Sequence, residues 1–424
     1  MLKEIHFKNW KSFKSATLYI DQITVLIGTN ASGKTNIVEG LEFLRRLING
    51  KEVQTALVAD SSPSSIRGGL KWAALKPENQ FTISLLVEGN ENTDYFYSVT
   101  IELASNQAEI FAEELTGIKH HPDSKEKIHL IKIKRTGADS NTKFAFEADY
   151  SSKERIYNPE SLLALSNPHF SILSMRDRFR NLPIPKTVRV GINTVANVIQ
   201  NIFVFNPIPS NMRNYTPLSG DLSYDASNIA GVLANLPKDK NFEDILSAYL
   251  KELPQGDIRR VFAEPVGKIG NDAMLYCEEE WKKGETILID AHTMSDGTLH
   301  FLAILVALLT RPEGSQIVIE DVDNGLHPSR IGLLFKILKD ICEQRNIDIL
   351  VTTHNPALLD NLGPEMVPYV EIVHRHEETG TSQITLLEDI DKLPKLLASG
   401  TLGRITMQGK LERSLHNAAK SLDH

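Results

Sequence analysis

A chain of 424 residues with 41% hydrophobic and 24% charged residues, 25 Gly and 19 Pro is long enough for two to three domains. That excludes a single small binding module, and it excludes a collagenous, low-complexity or disordered chain. The net charge of −8, from 46 basic and 54 acidic residues, argues against a whole surface built to grip nucleic acid, although a local basic patch survives such an average.

The opening MLKEIHFKNWKSFKSATLYI carries charges where a signal peptide has an apolar stretch, and the apolar run Phe301 to Leu309 is half a membrane span. The expected location is cytoplasmic, with no membrane. Two cysteines, Cys277 and Cys342, lie far apart without a CxxC partner. They suggest neither a disulfide framework nor a zinc site and are expected to be buried and inert.

In chain order, Ile5 and Phe7, then Leu18 and Ile20, alternate as two strands, and Ile23 to Ile27 reads as a buried strand. The period then changes: Ile37, Leu41, Leu44 and Ile48 recur at spacings of four, three and four, which predicts a helix from about Gly33 to Ile48. Short strand-like segments separated by Gly, Asn and Asp turns follow at Phe81 to Val87, Tyr95 to Leu103, Ile128 to Ile133 and Lys143 to Phe146. They predict an antiparallel meander. Helical patterns dominate 151–257, at Glu160 to Leu165, Thr194 to Phe203, Asn228 to Leu236 and Phe242 to Leu253.

Strands return at Arg259 to Glu264, Ala273 to Cys277 and Thr286 to Ile289, before a helix from Gly297 to Leu309. A buried strand (Gln316 to Ile319), a helix (Ser329 to Gln344) and a second buried strand (Asp348 to Thr352) then alternate in α/β fashion. The last thirty residues yield no functional reading.

Three clusters carry chemistry. Gly28-Thr29-Asn30-Ala31-Ser32-Gly33-Lys34-Thr35 satisfies GxxxxGK[ST] between a buried strand and a helix, the context that pattern requires. Its glycines let backbone N–H groups curl around phosphates, the helix start adds its positive end, Lys34 reaches the outer phosphates and the Thr35 hydroxyl faces Mg²⁺. The apolar strand Gln316 to Ile319 ends in Glu320 and Asp321, as suits holding a metal-bound water and polarising an attacking one. A second apolar strand ends in Thr353-His354-Asn355-Pro356, so His354 emerges at the same edge if the strands are parallel, placed to donate to a terminal phosphate.

Together these residues resemble the ABC-type ATPases of the SMC, RecF and OLD group, most nearly the compact bacterial AAA family ATPases without a long coiled coil. Ile5 to Lys14 resembles the group's first strand and turn, and the run Gly28 to Asn36 its Walker A. Glu320 to Pro328 resembles its Walker B and following loop, Thr353 to Pro356 its switch histidine loop, and Met294-Ser295-Asp296-Gly297-Thr298 its signature segment. The likeness covers about 1–50 and 286–360 and says little about the middle.

The fold this resemblance implies is α/β: an ABC-type ATPase head with mixed sheets, a P-loop and an inserted, mostly helical lobe. Residues 1–150 would form the N-terminal part of the head, 151–257 the inserted lobe, and 258–424 the C-terminal part. It implies ATP and Mg²⁺, with Gly28, Asn30, Ala31, Ser32, Gly33, Lys34, Thr35 and Asn36 binding nucleotide, Thr35 and Glu320 at the metal, and Asp321, His354 and Glu320 in catalysis. In such families the signature serine and glycine, here Ser295 and Gly297, contact the γ-phosphate of ATP bound to a second copy, across a head-to-tail dimer. A hydroxyl and a bare N–H at a helix start suit an anion; Ser-Asp-Gly is also a common helix-start turn.

One departure concerns the acids. Where the family has Asp-Glu, this chain has Glu320-Asp321, so the base position holds the shorter side chain and slow hydrolysis is expected. Asp323 could assist. Trp10 or Phe13 could stack on adenine or pack the first sheet, and the sequence does not choose. Met175-Arg176-Asp177-Arg178-Phe179-Arg180, with Lys186 and Arg189, and Lys132-Ile133-Lys134-Arg135 are the candidates for contact with nucleic acid, against a solvated face paired with acids.

The reading that follows is an ATP-dependent switch that dimerises around nucleotide and controls a separate effector, a nuclease or toxin, in bacterial anti-phage defence. The alternatives are a RecF-like DNA repair or maintenance ATPase that binds duplex DNA, and a nucleotide-stabilised scaffold without meaningful turnover.

Overall fold

The computed structural model describes residues 1–58, 66–90, 92–104, 107–121, 124–136, 143–147, 168–181, 184–237, 240–252, 258–360, 363–390, 393–411 and 413–415. The chain opens with three strands, β1 (Leu2–Trp10), β2 (Phe13–Tyr19) and β3 (Ile23–Ile27), then helices α1 (Lys34–Ile48) and α2 (Val53–Leu57). Strands β4 (Gln80–Glu88), β5 (Thr93–Ala104), β6 (Gln107–His121), β7 (Ser124–Thr136) and β8 (Lys143–Glu147) follow. Helix α3 (Lys186–Gln200), β9 (Ile202–Phe205), β10 (Thr216–Pro217), α4 (Ile229–Asn235) and α5 (Lys240–Lys251) lead to β11 (Ile258–Val266), β12 (Asp272–Lys282) and β13 (Glu285–Asp290).

The C-terminal part runs α6 (Asp296–Thr310), β14 (Gln316–Ile319), α7 (Pro328–Arg345), β15 (Asp348–Thr353) and α8 (Pro356–Asp360). It ends with β16 (Val370–Arg375), β17 (Ser382–Leu386), α9 (Leu393–Leu397) and α10 (Leu402–Met407). The helix expected at Glu160 to Leu165 lies outside the described residues.

Two compact units emerge. The first holds 1–21, 28–202 and 371–385. Its strands β4 to β8 form the expected antiparallel meander, β1 pairs antiparallel with both β4 and β2, and the hairpin strands β17 and β16 continue beyond β2. The apolar stripe Ile37, Leu41, Leu44 and Ile48 of α1 is buried, as the spacing of four and three requires. Trp10 tilts against Phe81 with ring centroids 4.8 Å apart and stacks on Phe43 at 5.9 Å, so one aromatic cluster ties β1, α1 and β4. Truncating a fully buried ring of this kind costs about 3–5 kcal/mol.

The second unit holds 22–27, 203–370 and 386–424. Here β3, β15 and β14 run parallel, with Ile27 opposite Thr353 and Ile319 opposite Val351, and β9 flanks β14. All residues of β3, β14 and β15 are buried, which explains why they are mostly apolar without alternation. Helix α6 is buried along nearly its whole length, from Thr298 to Leu308. A separate antiparallel sheet has the order β10-β12-β11, with β13 also pairing β12. No helix among the described residues is long and apolar enough to cross a membrane. Both cysteines are buried, and burial pushes the Cys342 thiol up to about 12.

One local expectation fails for an identifiable reason. The helix read as Thr194 to Phe203 ends at Gln200, because Ile202–Phe205 is a β-branched and aromatic run that forms β9. The β16–β17 hairpin was hidden in a stretch interrupted by His376-Glu377-Glu378-Thr379-Gly380, where charge masks the strand pattern.

Candidate active site

The phosphate-type loop belongs to the first unit. Thr29, Asn30 and Ala31 are exposed, Ser32, Gly33 and Lys34 are buried, and Thr35 and Asn36 are half-buried. Gly28 is required by close approach: a Cβ there would lie 2.3 Å from the Val373 carbonyl oxygen of β16. Gly33 is required twice over, by its φ of +124° and by Ser382 Oγ, 2.7 Å from where a Cβ would stand. Ala31 is also left-handed, at φ +64°. Lys34 Nζ donates to the carbonyls of Gly28 (2.6 Å) and Thr29 (3.1 Å), so the ammonium is folded onto its own loop. The Ser32 hydroxyl oxygen is buried without a partner.

The β16–β17 hairpin braces this loop from outside. Arg375 Nε donates to the Ala31 carbonyl (2.9 Å) and its Nη1 to the Gly380 carbonyl (2.8 Å). Ser382 Oγ lies 2.5 Å from the Ser32 carbonyl oxygen and 2.8 Å from Ser12 Oγ. Asn36 Nδ2 donates to Ser12 Oγ (2.7 Å), and the Asn36 carbonyl accepts from Trp10 Nε1 (2.7 Å). Trp10 and Phe13 are fully buried, which assigns them to packing rather than to a base. Behind α1, Lys11 and Glu39 form a buried ion pair; burial lowers the lysine's pKa against the pull of Glu39. The Arg67 amide also donates to Glu39, at 3.0 Å.

The acids and the histidine belong to the second unit. Because β3, β15 and β14 are parallel and adjacent, Ile27, Thr353 and Ile319 finish at one sheet edge. The residues that follow them in the chain are Gly28, His354 and Glu320. Glu320 is half-buried, and its N–H donates to the Phe205 carbonyl at 3.1 Å. Burial and the carboxylates of Asp225 and Glu320 push the Tyr224 hydroxyl up.

Asp321 adopts φ +45°, and its N–H donates to Thr352 Oγ1 at 3.0 Å. That conformation aims the Asp321 carboxylate at His354, with Oδ1 and Nδ1 3.2 Å apart and both side chains about half exposed. Asp323 is buried and accepts from Thr353 Oγ1 at 2.7 Å, which ties the loop after the acids to the end of β15.

Ser295 caps α6, accepting from the Thr298 N–H at 3.1 Å and donating to Thr298 Oγ1 at 2.9 Å. The residues 291–296 before the helix converge on Arg213, which donates to three of their carbonyls and to Asp296. Gly297 packs on the loop after the acids, where a Cβ would stand 2.7 Å from the Gly325 carbonyl oxygen. One turn on, His300 Nε2 donates to the Val322 carbonyl at 3.2 Å, and burial holds this histidine below its ordinary pKa.

The basic segments are partly engaged. Arg135 Nη1 lies 2.6 Å from Glu109 and 3.5 Å from Glu102. Lys134 lies over Phe111, and Arg176 donates to Asn197 Oδ1 at 2.6 Å. The side chains of Arg178, Phe179 and Arg180 lie outside the described residues. Among the described residues no group of three or more His, Cys, Asp or Glu could hold a metal ion by itself. Sequence reasoning missed Arg213, Arg375, Ser382 and His300, which stand singly in the chain and outside any motif.

The residues present fit a triphosphate. The cradle leaves no room for a Cβ at Gly28 or Gly33, and it presents a buried, unpartnered hydroxyl at Ser32 and the Lys34 ammonium held on the loop's own carbonyls.

Comparison with known proteins follows the same line. The family described as "AAA domain, putative AbiEii toxin, Type IV TA system" matches residues 23–360. An "ATP/GTP phosphatase" of Helicobacter pylori (strain ATCC 700392 / 26695) is 21% identical over 371 residues, 85% of this chain and 87% of that protein. The "Chromosome partition protein Smc" of Methanococcus voltae is 41% identical over 54 residues, 12% of this chain and 4% of that one. Among solved structures, an SmcHead bound to the C-winged helix domain of ScpA is similar at 10% identity and a TM-score of 0.49, over 91% of this chain and 97% of that one. With the family match spanning most of the sequence, the chain belongs to this family of AAA-domain ATPases.

Proposed function

We propose that two copies of this chain close around two molecules of ATP with Mg²⁺ in the cytoplasm, and that binding and slow turnover switch the surface offered to a separate effector protein. The observation that carries this reading is the parallel register of β3, β15 and β14, which ends the strands leading to Gly28, His354 and Glu320 at one edge. In open α/β sheets that edge is where ligands bind.

Gly28 and residues 30–36 would take the phosphates on backbone N–H groups and on Lys34, which must leave the carbonyls of Gly28 and Thr29 to do so. Thr35 and Glu320 would hold the magnesium ion, which neutralises charge on the phosphate oxygens when bound. Asp321 would accept a proton from the attacking water, with His354 beside it to donate to the terminal phosphate. Ser295 and Gly297 would meet the γ-phosphate held by the other copy.

Two supports bear on biological role. The family description refers to a toxin and to a Type IV toxin–antitoxin system, which suits control of an effector in anti-phage defence. The Helicobacter relative is named for phosphatase action on ATP and GTP, which suits turnover rather than a static scaffold. The RecF-like alternative is less favoured, because Arg135 in one of its two basic segments is already bridged to Glu109.

The test is ATP binding and self-association of the purified chain with Mg²⁺. Nucleotide-dependent dimers and phosphate release that vanish in Lys34→Ala are expected. Unchanged binding in that variant would overturn the reading. Duplex DNA affinity with ATP at low salt, falling steeply as salt is added, would favour the alternative.

A further inference from the structure

Arg213 ends the short 3-10 turn Pro209–Arg213, with its side chain half-buried. One nitrogen, Nη1, reaches the carbonyls of Ala291 (2.8 Å), His292 (2.8 Å) and Met294 (2.9 Å) with its two N–H groups, one of them shared, and Nη2 donates to Asp296 Oδ1 (2.6 Å). These four acceptors span the whole connection from β13 to the start of α6. Within that connection, the His292 N–H donates to Asp290 Oδ1 and the Thr293 N–H to the Asp290 carbonyl, so the segment is a coiled turn whose carbonyls face one cation. A planar guanidinium serves such a set because its N–H groups fan out in a fixed fork; an ammonium cannot reach all four.

The support behind Arg213 is itself fixed. Met212 is fully buried, and Asn211 Nδ2 donates to Asp225 Oδ2 at 3.0 Å. Asp225 also accepts from Ser223 Oγ and the Ser227 N–H, and these donors hold its carboxyl below the ordinary range in spite of burial.

We infer that Arg213 is a positioning residue for the signature segment. It holds 291–296 in the shape in which Ser295 and Gly297 meet the nucleotide bound to a second copy of this chain. The inference rests on the reading given under Proposed function. Without the guanidinium, three carbonyls and a carboxylate lose their shared partner and the segment regains backbone freedom. That loss falls on closure of the dimer and not on the chain's own phosphate loop.

The experiment compares wild type, Arg213→Ala and Arg213→Lys, each with Mg²⁺ and ATP. Arg213→Ala is expected to bind ATP within about twofold of wild type, while kcat and nucleotide-driven self-association fall by about tenfold or more. Arg213→Lys keeps the charge and most of the volume and is expected to recover part of the loss, which also separates positioning from a failure to fold.

Mixing decides between copies. Arg213→Ala combined with Lys34→Ala pairs one intact phosphate loop with one intact signature segment, so activity rises well above that of either variant alone. Arg213→Ala combined with Ser295→Ala leaves no intact signature segment, and no rise is expected. Wild-type activity in Arg213→Ala overturns the inference, and so does an ATP-binding Arg213→Ala that Lys34→Ala fails to rescue. If wild type itself forms no ATP-dependent dimer, the underlying reading falls and the inference falls with it.

Discussion

Gly297 and Gly325 touch through their backbones: a single methyl on Gly297 would sit 2.7 Å from the Gly325 carbonyl oxygen, with Arg330 Nη1 3.5 Å away. The glycine of the signature segment is thus explained by packing on the loop after Glu320 and Asp321, before any ligand is considered. Because the obstacle is backbone, it cannot rotate aside. Gly297→Ala is expected to displace residues 323–326, lower stability by about 1–3 kcal/mol and cut ATP turnover by about tenfold or more. Thermal melting and steady-state phosphate release check this, and an alanine variant with wild-type turnover would refute it.

The order Glu320-Asp321 predicts a rate effect. Asp321 reaches His354 only through its left-handed backbone, and its carboxylate is one methylene shorter than that of Glu. The double exchange Glu320→Asp with Asp321→Glu is expected to raise kcat, by up to about a hundredfold if an ångström of reach is what limits it. Unchanged or slower single-turnover hydrolysis would show that reach is not limiting.

Arg375 predicts an affinity effect without a folding effect. Its side chain is exposed and braces the Ala31 carbonyl, so Arg375→Ala is expected to leave the melting temperature nearly unchanged while weakening ATP binding by about three- to tenfold. Titration calorimetry with Mg²⁺ and ATP reads both the affinity and the added entropy of ordering the loop.

Glu371 predicts a pH dependence. The residue is buried on β16, accepts from the Tyr19 N–H at 2.8 Å, and leaves its second oxygen without a partner. Burial, with a smaller push from Asp21, raises its pKa from 4.5 to about 8. The folded state therefore prefers the neutral acid, whereas the unfolded chain ionises above 4.5. Stability is full below pH 4.5 and lost as pH climbs to about 8, at no more than about 1.4 kcal/mol per unit. Glu371→Gln is expected to flatten the melting temperature across that window, and an unaltered slope would contradict the assignment.

Much of the architecture was legible because it rests on local rules. The spacing of Ile37, Leu41, Leu44 and Ile48 marked α1, and the mostly apolar runs at 23–27, 316–319 and 348–352 marked three buried strands, whose parallel pairing the sequence left conditional. The phosphate loop, the acids and the histidine were readable because each stands at the end of such a strand. Arg213 and Ser382 were not, since each acts on residues about 80 or 350 positions away and a lone arginine or serine has no period. The tie between Asp323 and the Thr353 hydroxyl was not legible either, because it joins residues 30 positions apart. The open choice for Trp10 was settled by three neighbours, Phe43, Phe81 and the Asn36 carbonyl, that sequence alone does not bring together.

Burial of Cys277 and Cys342 has a practical side. Thiol reagents will find both sulfurs shielded, and for Cys342 the reactive thiolate is scarce at neutral pH. A cysteine introduced at an exposed position such as Asn324 would then carry a fluorophore against a silent native background. Energy transfer between labelled copies could follow their approach in real time, with no need to remove either natural cysteine first.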